Sequence, residues 1–142
     1  MIQVTETSEK NNPVIYVIDP DRQLTARLMK LFERTGYKAA CYANAEDFLQ
    51  AEQQPARYGC IVSELKLPGM DGLELLTKIH DSGCRLPLII LTGDPDVSHA
   101  VNALQKKVFD YLVKPVIERE LFKRIKAALR RSKEAQGLAR HG

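Results

Sequence analysis

Five side chains that could exchange protons or bind an ion follow hydrophobic runs of this chain: Asp19, Asp21, Glu64, Thr92 and Lys114. Carboxylates beside an amine can do acid–base chemistry, so a cluster of Asp19, Glu64 and Lys114 is a candidate site for a small enzyme. These residues lie far apart in the sequence. Any shared chemistry therefore depends on the elements that bring them together.

Short hydrophobic runs alternate with segments in which hydrophobic residues recur at helical spacing. The runs predict strands at 14–18, 38–42, 60–63, 88–91 and 111–113. The periodic segments predict helices at 22–35, after an N-cap at Asn44, and at 73–82, 96–105 and 117–132. Gly36 and Gly83 are expected to end the first and the third helix.

The apolar faces of two helices can also be predicted from this spacing. In the helix at 73–82 we expect one side to carry Leu73, Leu76, Ile79 and His80. In the last helix we expect an inward face made of Leu121, Phe122, Ile125, Ala128 and Leu129.

Strands that alternate with helices predict an α/β fold, a single domain with a doubly wound, five-stranded parallel sheet and right-handed crossovers. Such sheets bind ligands beyond the carboxyl ends of their strands, which is where the polar side chains should meet. The boundaries predict a flexible leader at 1–12, a folded domain at 13–132, and a polar, basic tail or linker at 133–142.

Several motifs in this order resemble the receiver domains of bacterial response regulators. They are the strand that ends in Asp19, Leu67-Pro68-Gly69-Met70-Asp71-Gly72, Leu91-Thr92-Gly93, and Tyr111-Leu112-Val113-Lys114-Pro115. The resemblance covers roughly Pro13 to Arg131. It implies a flavodoxin-like (βα)5 fold and a role in two-component signal transduction.

The resemblance also implies a role for each polar residue. In a working receiver, an acidic pair after the first strand and an acceptor aspartate hold Mg²⁺, and the acceptor attacks phosphorus. The acceptor stands four residues before the proline of the following loop. In this chain that proline is Pro68, and the acceptor position is Glu64. Thr92 and Lys114 match the residues that bind the phosphoryl group, and Thr92 with Tyr111 matches the conformational switch. Lys114-Pro115 resembles the family's cis-proline bond.

Two residues depart from the family's acidic site. Glu64 replaces the acceptor aspartate, and Pro20 replaces the second acid, so Asp21 either substitutes for that acid or caps the next helix. Mg²⁺ requires nearly ideal octahedral geometry, so we expect weak or no binding at Asp19 and Glu64. The longer Glu64 side chain misplaces the carboxylate by on the order of 1 Å, but lets it pair with Lys114 and partly imitate an acyl phosphate.

Three functional readings follow. The first is a degenerate receiver that acts by protein contact with a histidine kinase or a downstream effector, forms a homodimer through the 96–131 face, and need not be phosphorylated. The second is a functional receiver that takes a phosphoryl group from a histidine kinase with Mg²⁺. The third is the small enzyme, although we expect no enzyme. Glu64 could also be a surface carboxylate that pairs with Lys114 only for stability.

Composition limits the remaining possibilities. The chain has 142 residues and a net charge of +3, without a hydrophobic run long enough to span a membrane or act as a signal peptide. We therefore expect a cytoplasmic protein without membrane contact, in which Cys41, Cys60 and Cys84 are buried or half-buried free thiols. No aromatic residue interrupts the basic C-terminal segment, so direct nucleic-acid binding is not expected. His80, His99 and His141 lack partners at metal-ligand spacing.

Overall fold

The structure is a computed structural model that describes residues 12–93, 96, 98, 102–103 and 105–137. It contains a five-stranded parallel sheet with the strand order β2-β1-β3-β4-β5. The strands are β1 (Val14–Ile18), β2 (Lys38–Tyr42), β3 (Gly59–Ser63), β4 (Leu88–Thr92) and β5 (Asp110–Val113). The predicted doubly wound parallel sheet is confirmed.

Four helices have defined bounds: α1 (Arg22–Arg34), α2 (Ala45–Ala51), α3 (Gly72–Asp81) and α4 (Glu118–Ala135). Between β4 and β5, the described residues Ser98, Asn102, Ala103 and Gln105 are helical. The other residues of the helix predicted at 96–105, including Val97, Ala100, Val101 and Leu104, lie outside the described residues. The same is true of positions 1–11 and 138–142.

The core has two layers, one on each side of the sheet. Successive residues of a strand point to opposite faces, so β1 contributes Ile18 to one layer and Ile15 to the other. The first layer packs against α2 and α3, and the second packs against α1 and α4. Because both faces are covered, β3 and β4 are buried along their whole length.

Short-range hydrogen bonds fix where the helices begin and end. The Asn44 carboxamide oxygen accepts from the backbone N–H of Asp47 at 2.7 Å, as expected for an N-cap. The helices α1 and α3 are followed by Gly36 and Gly83, with φ angles of +84° and +87°. These left-handed positions after a helix favour glycine, so both predicted helix ends are confirmed.

Several sequence-based expectations were wrong in detail. His80 is exposed, because the buried side of α3 is formed by Leu75, Leu76 and Ile79. Phe122 is only half-buried and packs edge-on against Tyr37. Cys41 is exposed, whereas Cys60 is buried and Cys84 is half-buried.

The last helix also differs from its predicted bounds, because it continues past position 132 to Ala135. Ser132 is buried, and its Oγ accepts a hydrogen bond from the backbone N–H of Gly59 at 3.0 Å. This contact ties the C-terminal part of the helix to the start of β3. Positions 133–135 are helical and exposed.

Candidate functional site

The carboxyl ends of four strands bring the predicted site residues to one edge of the sheet. Asp19 follows β1, Glu64 follows β3, Thr92 ends β4 and Lys114 follows β5. Backbone bonds continue the ladder beyond the strands: Glu64 N–H donates to the Ile18 carbonyl at 2.9 Å, and Lys114 N–H donates to the Thr92 carbonyl at 2.7 Å. The polar side chains therefore occupy fixed positions on rigid elements.

Lys114 lies at the centre of this cluster. Its Nζ is 2.9 Å from Oδ2 of Asp19 and 2.9 Å from Oε1 of Glu64. Asp19 is 3% exposed and Glu64 is 8% exposed, so water screens these ion pairs only weakly. One ammonium thus pairs with two carboxylates that the fold has buried, so it balances only one of their two negative charges when both are ionised.

Both oxygens of the Glu64 carboxylate are occupied. Oε1 faces Lys114, while Oε2 accepts from the backbone N–H groups of Leu65 at 2.6 Å and Lys66 at 3.1 Å. The side chain of Thr92, which is buried, also hydrogen-bonds to Glu64. Thr92 and Lys114, which the resemblance predicts to bind a phosphoryl group, therefore both contact the side chain that it predicts to stand at the acceptor position.

The pKa values reflect these contacts. Burial alone would raise the pKa of Glu64, but the hydrogen bonds from Lys114, Thr92 and the backbone outweigh it and lower that pKa. Burial likewise opposes the charge of Lys114, yet its two carboxylate partners raise the pKa of the ammonium. Glu64 and Lys114 are therefore held in their charged forms.

Asp19 behaves differently from Glu64 although both pair with the same lysine. Burial raises the pKa of Asp19, and the hydrogen bond from the Asp21 backbone and the nearby Lys114 reverse this only in part. Its Oδ1 accepts that backbone bond at 2.9 Å. Its buried Oδ2 forms an ion pair with the Lys114 ammonium. This oxygen accepts no well-directed hydrogen bond from the described residues.

The second acidic candidate, Asp21, lies outside the cluster. It is exposed, and its Oδ1 caps α1 by accepting from the backbone N–H groups of Gln23 at 3.0 Å and Leu24 at 3.1 Å. Pro20 offers no side-chain ligand. Within the described part of the chain, no group of three or more histidine, cysteine, aspartate or glutamate side chains could hold a metal ion. Both carboxylates of the cluster already pair with Lys114, and two ligands from one side of the site do not fit an octahedral magnesium ion.

Three further features lie on the strands that position the cluster or directly after them. Ser63 is a small buried residue whose Oγ donates to the Glu64 carbonyl at 2.9 Å. Tyr111 is half-buried and packs against the core layer that includes Ile90. The peptide bond between Lys114 and Pro115 is cis.

The loop after Glu64 contains a cap that the sequence analysis missed. Asp71 accepts from the backbone N–H groups of Leu73 at 2.9 Å and Glu74 at 2.8 Å, which starts α3. The spacing of Asp71 and Glu74 resembles a capping box and could have revealed it. At Gly72, an added Cβ would lie 2.8 Å from the Glu64 carbonyl, so the helix begins against the site only because this residue is glycine.

Comparison with known proteins adds a family and its relatives. The family described as "Response regulator receiver domain" matches residues 15–126. The chain is 35% identical over 121 residues to the transcriptional regulatory protein FixJ of Bradyrhizobium diazoefficiens, covering 85% of this chain and 58% of FixJ. It is 32% identical over 117 residues to the response regulator protein TodT of Pseudomonas putida, covering 82% of this chain and 51% of TodT.

Solved structures give the same result. The response regulator StyR has a TM-score of 0.82 at 27% identity, over 92% of this chain and 65% of StyR. Full-length FixJ from B. japonicum has a TM-score of 0.79 at 34% identity, over 88% of this chain and 61% of FixJ. The chain therefore spans only part of the length of these regulators. None of its described helices is both long enough and apolar enough to cross a membrane.

Proposed function

Because this chain belongs to the response regulator receiver family, we propose that it is a two-component signalling domain that acts without a phosphoryl group. Glu64 and Lys114 form a permanent, partial substitute for the phosphorylated site. The domain signals by protein contact, with a histidine kinase or a downstream effector as its partner, in the cytoplasm. It consumes no substrate.

The main support is the position of Lys114, whose Nζ lies 2.9 Å from both buried carboxylates. The resemblance assigns Lys114 and Thr92 to the bound phosphoryl group. Here both contact the carboxylate of Glu64. Glu64 supplies one negative charge at this point, whereas a phosphoryl group supplies about two, so the imitation is partial.

The same contacts weaken Glu64 as a nucleophile. An attacking carboxylate oxygen needs an open approach and available electron density, but Glu64 is 8% exposed and both of its oxygens accept hydrogen bonds or pair with an ion. A lowered pKa further reduces its tendency to share an electron pair. Phosphoryl transfer to Glu64 would require breaking the network first.

Magnesium would meet similar competition. An ion at this edge would have to displace Lys114 from Asp19 and Glu64, and Pro20 gives it no third carboxylate. Recruiting Asp21 would remove the cap of α1, which contributes about 1 kcal/mol to a typical helix. We therefore expect weak Mg²⁺ binding or none.

A partner surface is suggested by exposed hydrophobic side chains after Thr92. Val113 is 52% exposed and Ile117 is 63% exposed, and both lie within the 96–131 face. Exposed hydrophobic side chains that lie close together often mark protein–protein contacts. We propose that this face binds the effector or a second copy of the domain, in the conformation that Glu64 stabilises.

The experiment is an amide NMR titration with Mg²⁺ and then with beryllofluoride, an acyl-phosphate mimic. We expect no saturable shifts in the wild type. The double variant Glu64→Asp with Pro20→Asp restores the family's acidic site, and we expect it to respond at Thr92, Lys114 and Tyr111.

The single variant Glu64→Asp serves as the matched control, because it shortens the side chain without adding the missing acid. A wild-type response at Thr92 and Lys114 that spreads to Tyr111 would favour the functional phospho-receiver and contradict our proposal. A response in the double variant alone would locate the loss of chemistry at these two positions.

A further inference from the structure

A groove lies at the opposite edge of the sheet, beside the amino-terminal ends of β4 and β5. It has a volume of about 800 Å³ and is formed by the last turns of α3 and α4 and by the segments that enter the two strands. Its hydrophobic lining includes Leu86, Val108 and Phe109. A groove of this size can take a ligand or several side chains of a peptide.

The charged lining of this groove is entirely basic. It consists of Arg85, Lys107 and Arg131, with the imidazole of His80 beside them, and none of the described lining residues is acidic. Arg131 places its guanidinium over the ring of Phe109, 5.4 Å from the ring centroid. Among the described residues, no carboxylate pairs with Arg85, Lys107 or Arg131. The groove therefore combines a hydrophobic surface with cations that are left for another molecule.

The backbone at Lys107 is a second, independent observation. Three helices end with the same backbone hydrogen bond, in which an N–H donates to the carbonyl five residues earlier. These bonds run from Tyr37 to Phe32 at 2.8 Å, from Cys84 to Ile79 at 3.2 Å and from Val108 to Ala103 at 3.2 Å. In each case the residue just before the N–H donor has a left-handed backbone. At the first two helix ends this residue is a glycine, Gly36 or Gly83, but at the third it is Lys107, with φ +64°. It is the only non-glycine residue with positive φ in the described part of the chain.

A lysine in this conformation is strained where glycine would not be. Strained backbone positions are often found where a side chain has a function, so the amine of Lys107 points to a binding role. His80 lies in the last turn of α3, where a basic residue also suits the helix dipole, and Arg131 already lies over the ring of Phe109. Arg85 and Lys107 lie outside these helices, and we therefore base the inference on them.

The helix ends also indicate what kind of anion the groove accepts. The carboxyl ends of α3 and α4 carry partial negative charge, which disfavours a compact phosphate close to the backbone. Cations on long side chains from three separate segments can instead reach carboxylates that are spread along a chain. A hydrophobic side chain between those carboxylates would then pack on Val108 and Phe109.

We propose that this groove binds an acidic segment of a partner protein, in which hydrophobic side chains lie between carboxylates. The contact goes beyond the proposed function, because it lies at the edge of the sheet opposite Glu64. The receiver would then have two contact surfaces, one coupled to the Glu64 network and one independent of it.

The probe is a short fluorescent peptide in which aspartate and glutamate alternate with leucine and phenylalanine, titrated into the full chain and followed by anisotropy. We expect saturable binding and amide NMR shifts at Arg85, Lys107 and Phe109. The double variant Arg85→Glu with Lys107→Glu should weaken binding at least about tenfold, because like charges then face the peptide.

The matched control is Lys38→Glu with Arg57→Glu, which makes the same charge change at exposed residues of the same sheet edge, outside the groove. It should leave the affinity within about twofold. Lys107→Gly removes the amine but suits the left-handed turn, so it should weaken binding without lowering Tm.

Four results would overturn this inference: no saturable binding, equal loss in both double variants, wild-type affinity in Lys107→Gly, or equal NMR shifts with inorganic pyrophosphate. The last would assign the groove to a small anion. A lysine analogue of the peptide, with the acids replaced, should not bind. None of these outcomes depends on whether Glu64 can be phosphorylated, so this inference and the proposed function can fail separately.

Discussion

The two edges of the sheet treat charge in opposite ways. At the carboxyl edge, the buried carboxylates of Asp19 and Glu64 both pair with one ammonium, so their counter-charge comes from inside the domain. At the amino edge, Arg85 and Lys107 line an open groove, and no described carboxylate pairs with them. A charge cluster that is satisfied internally holds a conformation, whereas cations left without a partner are available for binding.

Removal of Lys114, the cation that Asp19 and Glu64 share, should have the largest effect on stability. Lys114→Met should destabilise the domain by about 3 kcal/mol, because it leaves two buried carboxylates without a counter-ion. Chemical denaturation measures the loss. The matched control is Lys38→Met, an exposed lysine at the other edge, which should change the unfolding free energy by less than about 0.5 kcal/mol. Equal effects would mean that the carboxyl edge is not held by Lys114.

A smaller effect separates the two carboxylates. Glu64→Gln should cost about 2 kcal/mol at neutral pH, since a charged hydrogen-bonded group is lost. Asp19→Asn should cost less, because burial already raises the pKa of Asp19 and disfavours its charge. Denaturation of the wild type and both variants at one pH measures the difference. A larger loss for Asp19→Asn would reverse the assignment.

Glu64 and Asp19 should make the free energy of unfolding depend on pH in opposite directions, because the pKa of Glu64 is lowered and that of Asp19 is raised. The pKa of Glu64 is lowered from its ordinary 4.5, so its stabilisation is present above that value and is lost as pH falls through the lower folded-state pKa. The pKa of Asp19 is raised from 3.8, so its protonated form stabilises the fold at low pH, and this contribution is lost as pH rises through the raised pKa. Unfolding curves between about pH 3 and pH 7 should show the Glu64→Gln penalty shrinking in acid.

Much of the fold and the carboxyl edge could be predicted from the sequence. Hydrophobic runs as short as 14–18 are typical of strands buried on both faces. Because the strands are parallel, their carboxyl ends lie at one edge of the sheet, which brings Glu64 and Lys114 together although they are far apart in the sequence. The Glu64–Lys114 ion pair was expected because a longer side chain reaches further. The role of Asp21 was left open between an acid and a cap, and the structure shows the cap.

The amino edge could not be predicted in the same way. The groove is formed by four segments that carry no motif, and its residues meet only after the helices pack. The spacing that placed His80 on the inner side of α3 was misleading, because Leu75 occupies that side instead. The conformation of Lys107 carries no sequence signal either, since helix ends of this kind normally show glycine.

A substitution at Lys107 tests the left-handed backbone at the amino edge, with a smaller expected effect on stability. Lys107→Gly should leave the free energy of unfolding unchanged or raise it by up to about 1 kcal/mol, because the left-handed turn suits glycine. Gly83→Ala, at φ +87°, is the reciprocal control and should lower it by about 1 kcal/mol. An added Cβ at Gly83 meets no atom within 4 Å, so this loss is conformational. A clear destabilisation in Lys107→Gly would show that the lysine serves the fold.

The smallest expected effect concerns thiol reactivity. Cys84 lines the groove, whereas Cys41 is exposed elsewhere and burial raises the pKa of Cys60 to about 12. The acidic peptide should slow alkylation of Cys84 by a few-fold and leave the rate at Cys41 unchanged. Peptide mapping by mass spectrometry measures both rates in one sample. Equal protection of the two thiols would indicate binding elsewhere.

The most direct test of the Glu64 network is intact-protein mass spectrometry after incubation with acetyl phosphate and Mg²⁺. We predict no phosphoryl adduct on the wild type, while the Glu64→Asp, Pro20→Asp double variant serves as the positive control. A Mg²⁺-dependent adduct that maps to Glu64 would contradict the account, because a carboxylate held by Lys114, Thr92 and two backbone N–H groups would then still act as a nucleophile.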